Sequence, residues 1–202
     1  MDLRLLNEGQ QFSTPIGEMV LWQNLLSGDK KALASIYTRY FDPLYNYGIK
    51  ISSDTVIVED AIQDLFIEIW NRRGGLNKEV KSIKHYLYTC LRRKIILKIN
   101  QQHNTIDIDK IASFDIALSD KSHYLNNQLN TELRQKLIEV IGTLSPKQKE
   151  ALFLIYFEEL SYEEVAVIMS LKIKTVYNLI HQAISRLKDR RHNLWHLISF
   201  LF

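Results

Sequence analysis

The chain has a single cysteine, Cys90, among its 202 residues. No intramolecular disulfide can therefore form, and no Cys/His cluster has the spacing of a zinc site. A reducing, cytoplasmic setting is expected. Proline and glycine are also scarce, at three and seven residues. That leaves little material for a turn-rich β architecture, so an all-α fold is expected. Long apolar runs are missing as well. The most apolar stretch, LWHLISFLF from Leu194 to Phe202, falls far short of the roughly 20 residues that span a bilayer. The opening MDLRLLNEGQQFSTPIGEMV has neither a basic segment leading into an apolar one nor a small-residue cleavage site, so no secretory signal is expected. No activated nucleophile, metal-ligand set or phosphate-cradling loop is evident. No enzymatic activity, no cofactor and no small-molecule substrate are therefore expected.

What the chain does have is charge in two places. The net charge of +3 is uninformative, but its distribution is not. Arg72, Arg73, Lys78, Lys81, Lys84, Arg92, Arg93, Lys94 and Lys98 are opposed between 72 and 98 only by Glu79. Lys172, Lys174, Arg186, Lys188, Arg190 and Arg191 are opposed only by Asp189. Residues 101–127 between them carry two Lys and four Asp. Two basic patches separated by a mildly acidic stretch point to two contacts with a polyanion, or else to two solvated helix faces.

Helical periodicity organises the chain into two domains. Leu33, Ile36, Tyr37, Tyr40, Phe41, Leu44 and Tyr45 recur at intervals of three and four, which marks one buried stripe. A second helix is predicted over about 56–71, with Ile62, Leu65, Phe66, Ile69 and Trp70 on its apolar side. After RRGGLNKEVKS breaks the pattern, a third is predicted over about 83–99, with Leu87, Cys90, Leu91, Ile95 and Ile96 inward. Residues 18–100 are thus expected to form one helical bundle and 101–127, without a sustained period, a linker. Residues 128–191 are expected to form a second all-helical domain, with 192–202 an apolar tail that either packs on it or serves a partner.

The second domain is punctuated clearly. Ser145, Pro146 and Gln148 form an N-cap, a first-turn proline and the far end of a capping box. Ser161 and Glu164 repeat that grammar. Val165, Ala166 and Met169 should then face inward, followed by a turn at about 170–172. The next helix should bury Val176, Ile180, Ala183 and Leu187. Its opposite side carries Lys174, Thr175, Tyr177, Asn178, His181 and Gln182. Two capped helices joined by a short turn, the second with a polar face of this kind, fit a helix-turn-helix that reads a major groove. The basic residues farther along would anchor the DNA backbone. A plain helical hairpin, or one that binds protein, has the same outline.

Taken in order, these segments resemble the extracytoplasmic-function (ECF) sigma factors of the sigma-70 family, specificity subunits of bacterial RNA polymerase. ALASIYTRYFDPLYNYGIKISSDTVIVEDAIQDLFIEIWNRR is similar to their region 2.1 to 2.2. SIKHYLYTCLRRKIILKIN is similar to the helix that engages the minus-10 element. LSPKQKEALFLIYFEELSYEEVAVIMSLKIKTVYNLIHQAISRLK is similar to region 4, which binds the minus-35 element. KTVYN particularly resembles members from the Bacteroidetes.

The resemblance implies partners and roles. Asp60, Gln63 and Asp64, within a stripe that also holds Glu59 and Glu68, would dock on the β′ clamp helices of core RNA polymerase, with the β flap a second contact. A solvated helix face and a nuclease Mg²⁺ site are the other readings of those carboxylates. Lys84, His85, Tyr88, Arg92 and Arg93 would engage minus-10 DNA. The mixture of Tyr86 and Tyr88 with Lys84, His85, Arg92 and Arg93 suits capture of single strands, and a loop over about 73–81 would hold a base flipped from the non-template strand. Lys172, Lys174, Thr175, Tyr177, Asn178, His181 and Arg186 would contact the minus-35 duplex. A membrane-bound anti-sigma factor is the remaining partner implied.

Three positions depart from the family pattern. Ser170 stands where Gly is usual and must adopt that backbone at a cost in strain. Lys172 stands where a Ser commonly caps the recognition helix, and Arg93 where Asn is common in the minus-10 helix. Base preference is therefore not transferable. A repressor or activator with the same helix-turn-helix is the principal alternative, followed by a protein-binding adapter. The first would bind its operator tightly without polymerase, and the second would be insensitive to salt.

Overall fold

The computed structural model describes residues 15–80, 82–103, 114–115, 139 and 141–189. All its regular elements are helices: α1 (Pro15–Leu26), α2 (Lys30–Ile51), α3 (Thr55–Arg72), α4 (Ile83–His103), α5 (Pro146–Leu152), α6 (Tyr162–Ile168) and α7 (Ile173–Asp189). No strand occurs among the described residues, and none of the helices searched there is long and apolar enough to cross a membrane. The chain divides into two compact units, residues 1–108 and 109–202, in keeping with the all-α, two-part organisation expected.

Three helices of the first unit start where the sequence supplies an acceptor for their unpaired N–H groups. Asp29 accepts from the backbone N–H of Lys31 at 2.8 Å and begins α2. Asp54 accepts from Val56 and Ile57 at 3.0 and 3.3 Å and begins α3. The Ser82 hydroxyl accepts from His85 at 3.2 Å at the start of α4. Gly28, at φ 93°, makes the turn between α1 and α2. The core joins Ile36, Leu44 and Tyr47 of α2, Val58, Ile62 and Leu65 of α3, and Leu87, Leu91 and Ile95 of α4, all nearly fully buried. Each such side chain contributes about 2 kcal/mol on leaving water. The close crossing depends on Gly48. A Cβ there would stand 2.5 Å from Val58 Cγ1 and 3.2 Å from Ile95 Cδ1.

Two boundaries differ from expectation. Helix α1 begins at Pro15, where a proline at the first helical position costs no backbone bond. Helix α4 runs to His103, because Asn100, Gln101 and Gln102 are polar without being strong helix breakers.

In the second unit both capping boxes form. The Ser145 hydroxyl accepts from Gln148 N–H while the Gln148 side chain accepts from Ser145 N–H, and Ser161 and Glu164 do the same. Helix α5 runs into a π-helical turn over Phe153–Phe157, closed by the Glu158 N–H donating to the Phe153 carbonyl at 3.1 Å. Val165, Ala166 and Met169 face inward, as do Val176, Ile180, Ala183 and Leu187. Ser170 has φ 55°, the left-handed conformation anticipated for that turn, which disfavours any residue with a Cβ. Phe114, inside the stretch expected to be a linker, is buried with its ring centroid 5.8 Å from that of Phe153. The apolar stretch 192–202, together with Arg190 and Arg191, lies outside the described residues.

Candidate nucleic-acid and polymerase interfaces

Helix α7 separates its residues by face. With Val176, Ile180, Ala183 and Leu187 inside, the side chains of Lys174, Thr175, Tyr177, Asn178, His181 and Gln182 are exposed, and so is Lys172 ahead of the helix. The turn that presents them is held by the Leu171 N–H on the Ala166 carbonyl at 2.8 Å. Thr175 N–H bonds to the Lys172 carbonyl at 2.8 Å, so the lysine backbone opens the helix without a side-chain cap.

Two of the exposed residues are braced from neighbouring helices. The Tyr177 ring lies on that of Tyr162, with centroids 4.2 Å apart and planes 10° from parallel. Arg186 donates to Gln148 Oε1 at 3.1 Å, and Gln148 Nε2 reaches Gln182 Oε1 at 3.4 Å. Gln148 therefore both completes the α5 capping box and steadies α7. The capping signal was legible in the sequence, whereas the second role requires α5 and α7 to meet.

Helix α3 exposes Asp60, Gln63 and Asp64 together with Glu59. Two large apolar side chains, Val56 at 64% and Ile67 at 58% exposure, lie on the outward surface of the same helix. The acidic stripe continues toward α4 as ion pairs. Asp64 meets Lys98 at 2.8 Å. Glu68 meets Lys94 at 2.6 Å and Arg72 at 2.6 Å. Hydrogen bonds from Lys94 and then Arg72 hold the Glu68 carboxyl below its ordinary pKa. Asp60 and Gln63 thus form the open part of the patch, while Asp64 is shared with α4.

Helix α4 requires corrections. Arg93 is exposed, and Lys84 and His85 are half-buried. Tyr88 and Arg92, both expected to touch DNA, are buried. Tyr88 has no exposed surface, and its ring stacks on Tyr47 of α2 with centroids 5.0 Å apart. Arg92, one turn later on the same stripe, is only 4% exposed. The reason is geometric: residues at i and i+4 share a face, and this face packs on α2. Tyr86 is the more exposed tyrosine. It meets Trp22 of α1 edge-on at 5.2 Å, and burial raises the pKa of its hydroxyl. Trp22 and Glu18, which hold the entry to α4, were not singled out in the sequence, because α1 shows no clear apolar period.

Two family models match the chain: Sigma-70 region 2 over residues 36–105, and Sigma-70, region 4 over residues 134–187. Among curated relatives, the chain is similar to the ECF RNA polymerase sigma factor SigK of Mycobacterium sp. (strain JLS), at 23% identity over 84% of this chain and 88% of that protein. RNA polymerase sigma factor YlaC of Bacillus subtilis (strain 168) is 26% identical over 79% of this chain and 91% of that protein. Among solved structures, CnrH in complex with the cytosolic domain of CnrY aligns with a TM-score of 0.55 at 16% identity, covering 85% of this chain and 94% of that one. The sigma factor RpoE in complex with the anti-sigma factor NepR, from Bartonella quintana, aligns with a TM-score of 0.56 at 23% identity, covering 79% and 96%. These structural likenesses concern the fold.

Proposed function

The chain belongs to the ECF sigma factors of the sigma-70 family, and on that premise we propose which of its surfaces carry each contact of transcription initiation. A sigma factor is a non-enzymatic initiation factor. This one binds core RNA polymerase and directs initiation at promoters by recognising minus-35 and minus-10 elements.

The observation that carries the assignment is the division of α7 into a buried face and an exposed polar one. Lys174, Thr175, Tyr177, Asn178 and His181 read the minus-35 duplex, with Lys172 on its phosphates and Arg186 steadied by Gln148. Asp60 and Gln63, with Asp64 at the margin, dock on the β′ clamp helices, and the second unit meets the β flap. Lys84, His85 and Arg93 engage minus-10 DNA together with the loop over 73–81. We assign 18–100 to region 2, 128–191 to region 4 and 101–127 to the connection between them, and we place the protein in the cytoplasm. A membrane-bound anti-sigma factor is proposed as a further partner, since RpoE was solved with the anti-sigma factor NepR and CnrH with the cytosolic domain of CnrY.

Run-off transcription with purified bacterial core polymerase tests this reading, on a fragment from upstream of the protein's own operon. Initiation that requires the chain and is lost in the Asp60→Lys/Gln63→Lys variant is the expected result. Initiation indifferent to that variant would remove α3 from the polymerase interface.

A further inference from the structure

We propose that helix α1 is a positioning element for minus-10 capture. Trp22 and Glu18 fix the segment between α3 and α4, acting through that segment and not by touching DNA. The inference rests on the assignment of that segment as the base-holding loop. It also concerns a part of the chain outside the family match, which starts at residue 36.

The segment is pinned at three points. Near its start, Arg73 lies over the Trp70 ring at 4.3 Å and donates to the Trp70 carbonyl at 2.6 Å. Arg73 Nε also comes within 3.6 Å of where a Cβ on Gly28 would stand, which places the guanidinium beside the turn from α1 into α2. In the middle, the Trp22 indole N–H donates to the Asn77 carbonyl at 3.0 Å, across a separation of 55 residues. At its end, the Ile83 N–H donates to Glu18 Oε2 at 3.4 Å. The other Glu18 oxygen accepts from the Tyr40 hydroxyl at 2.6 Å and pairs with Arg39 at 3.5 Å.

Packing alone does not account for these residues. Trp22 is 1% exposed, and phenylalanine would fill most of that space without bringing an N–H that needs an acceptor. The acceptor it uses belongs to the loop. Between the pins, Gly74, Gly75, Asn77, Lys78 and Glu79 are exposed, so the backbone is fixed from behind while the outward side is left for a ligand. Trp22 also sets the Tyr86 ring edge-on at 5.2 Å, which ties the loop and the first turn of α4 to one anchor. Glu18 adds a carboxylate at the N-terminus of α4, where the unpaired N–H groups favour negative charge.

The test uses the full chain carrying Trp22→Phe, alone and as holoenzyme. Amide hydrogen exchange reads the loop directly. Discrimination among base substitutions in the minus-10 element, on pre-melted fork templates derived from the upstream fragment, reads its function. Loss of one net hydrogen bond predicts exchange over 76–80 faster by about fivefold and minus-10 discrimination lower by a similar factor. Minus-35 discrimination and core affinity should be unchanged. Glu18→Gln should act in the same direction by about twofold, and it carries the test if Trp22→Phe does not fold. Unchanged loop exchange and unchanged minus-10 discrimination would overturn the proposal, as would an equal loss at both promoter elements, which marks a merely structural role. Replacement of 74–79 by a Gly/Ser segment separates the two levels. If it leaves minus-10 discrimination intact, the loop assignment itself fails and the role of α1 falls with it.

Discussion

Helices α4 and α7 are both basic, and both were expected to lie on DNA, yet they use their charges differently. Helix α7 packs along one side and turns Lys174, Asn178 and His181 outward. Helix α4 is packed from three directions: Trp22 of α1 on Tyr86, Tyr47 of α2 on Tyr88, and Glu68 and Asp64 of α3 on Lys94 and Lys98. Part of its positive charge is spent on its own bundle. A run of lysines and arginines is therefore evidence of a nucleic-acid surface only when the neighbouring elements leave those side chains in water.

That contrast can be broken most severely at its structural base. Gly48→Val would push two methyl groups toward Val58 and Ile95, where even a Cβ meets Val58 Cγ1 at 2.5 Å. Overpacking at such a crossing should cost about 3 kcal/mol, measured as a lower midpoint of urea unfolding. A wild-type midpoint would show that α2 and α3 do not pack this closely.

The functional half of the contrast is next in size. Asn178→Ala on the exposed face of α7 should cost about 2 kcal/mol of minus-35 discrimination in holoenzyme binding. Lys98→Ala, whose ammonium lies 2.8 Å from Asp64, should leave the salt dependence of promoter binding unchanged. Lys174→Ala should lower that slope by about one. Equal effects of Lys98→Ala and Lys174→Ala would erase the distinction between the two helices.

The two positions that favour glycine, one at a helix crossing and one in a turn, differ as well. Gly48 is a glycine where the fold needs one, and Ser170 is a serine where the backbone, at φ 55°, favours glycine. Ser170→Gly should raise stability by about 1 kcal/mol, read as a higher melting temperature. A lower one would mean that the serine side chain contributes more than its backbone strain costs.

The smallest effect is acid sensitivity at the α3–α4 contact. The Glu68 pKa is lowered in the folded chain, first by Lys94 and then by Arg72. Its contribution is therefore present above the ordinary carboxylate pKa and is lost as pH falls through the lower folded value. Solvent screening keeps it small. Glu68→Gln should flatten the acid limb of the stability profile slightly, and an unchanged limb would show that the pair contributes nothing.

Legibility in the sequence followed the same geometry. In the second unit the capping pairs Ser145/Gln148 and Ser161/Glu164, the inward set from Val165 to Leu187 and the outward set on α7 were all readable, while the left-handed Ser170 was implied by the family resemblance. One-sided packing and local capping leave a periodic trace there. In the first unit α2, α3 and α4 were legible as separate helices. Tyr88 and Arg92 were misplaced because a helix enclosed on several sides has no single polar face from which to infer exposure. Trp22 and Glu18 were missed for a related reason: their partners, Asn77 and Ile83, are distant in sequence, and no local pattern announces such a contact.

The central claim is that promoter recognition is divided between two units and becomes effective only when polymerase holds both in place. The affinity of the promoter fragment for the chain, measured with and without core polymerase at fixed salt, tests it most directly. Tethering should convert two weak contacts into one tight one, so the free chain should bind weakly and the holoenzyme tighter by about a hundredfold or more. Equally tight binding by the chain alone would contradict the account and make the protein a self-sufficient helix-turn-helix regulator.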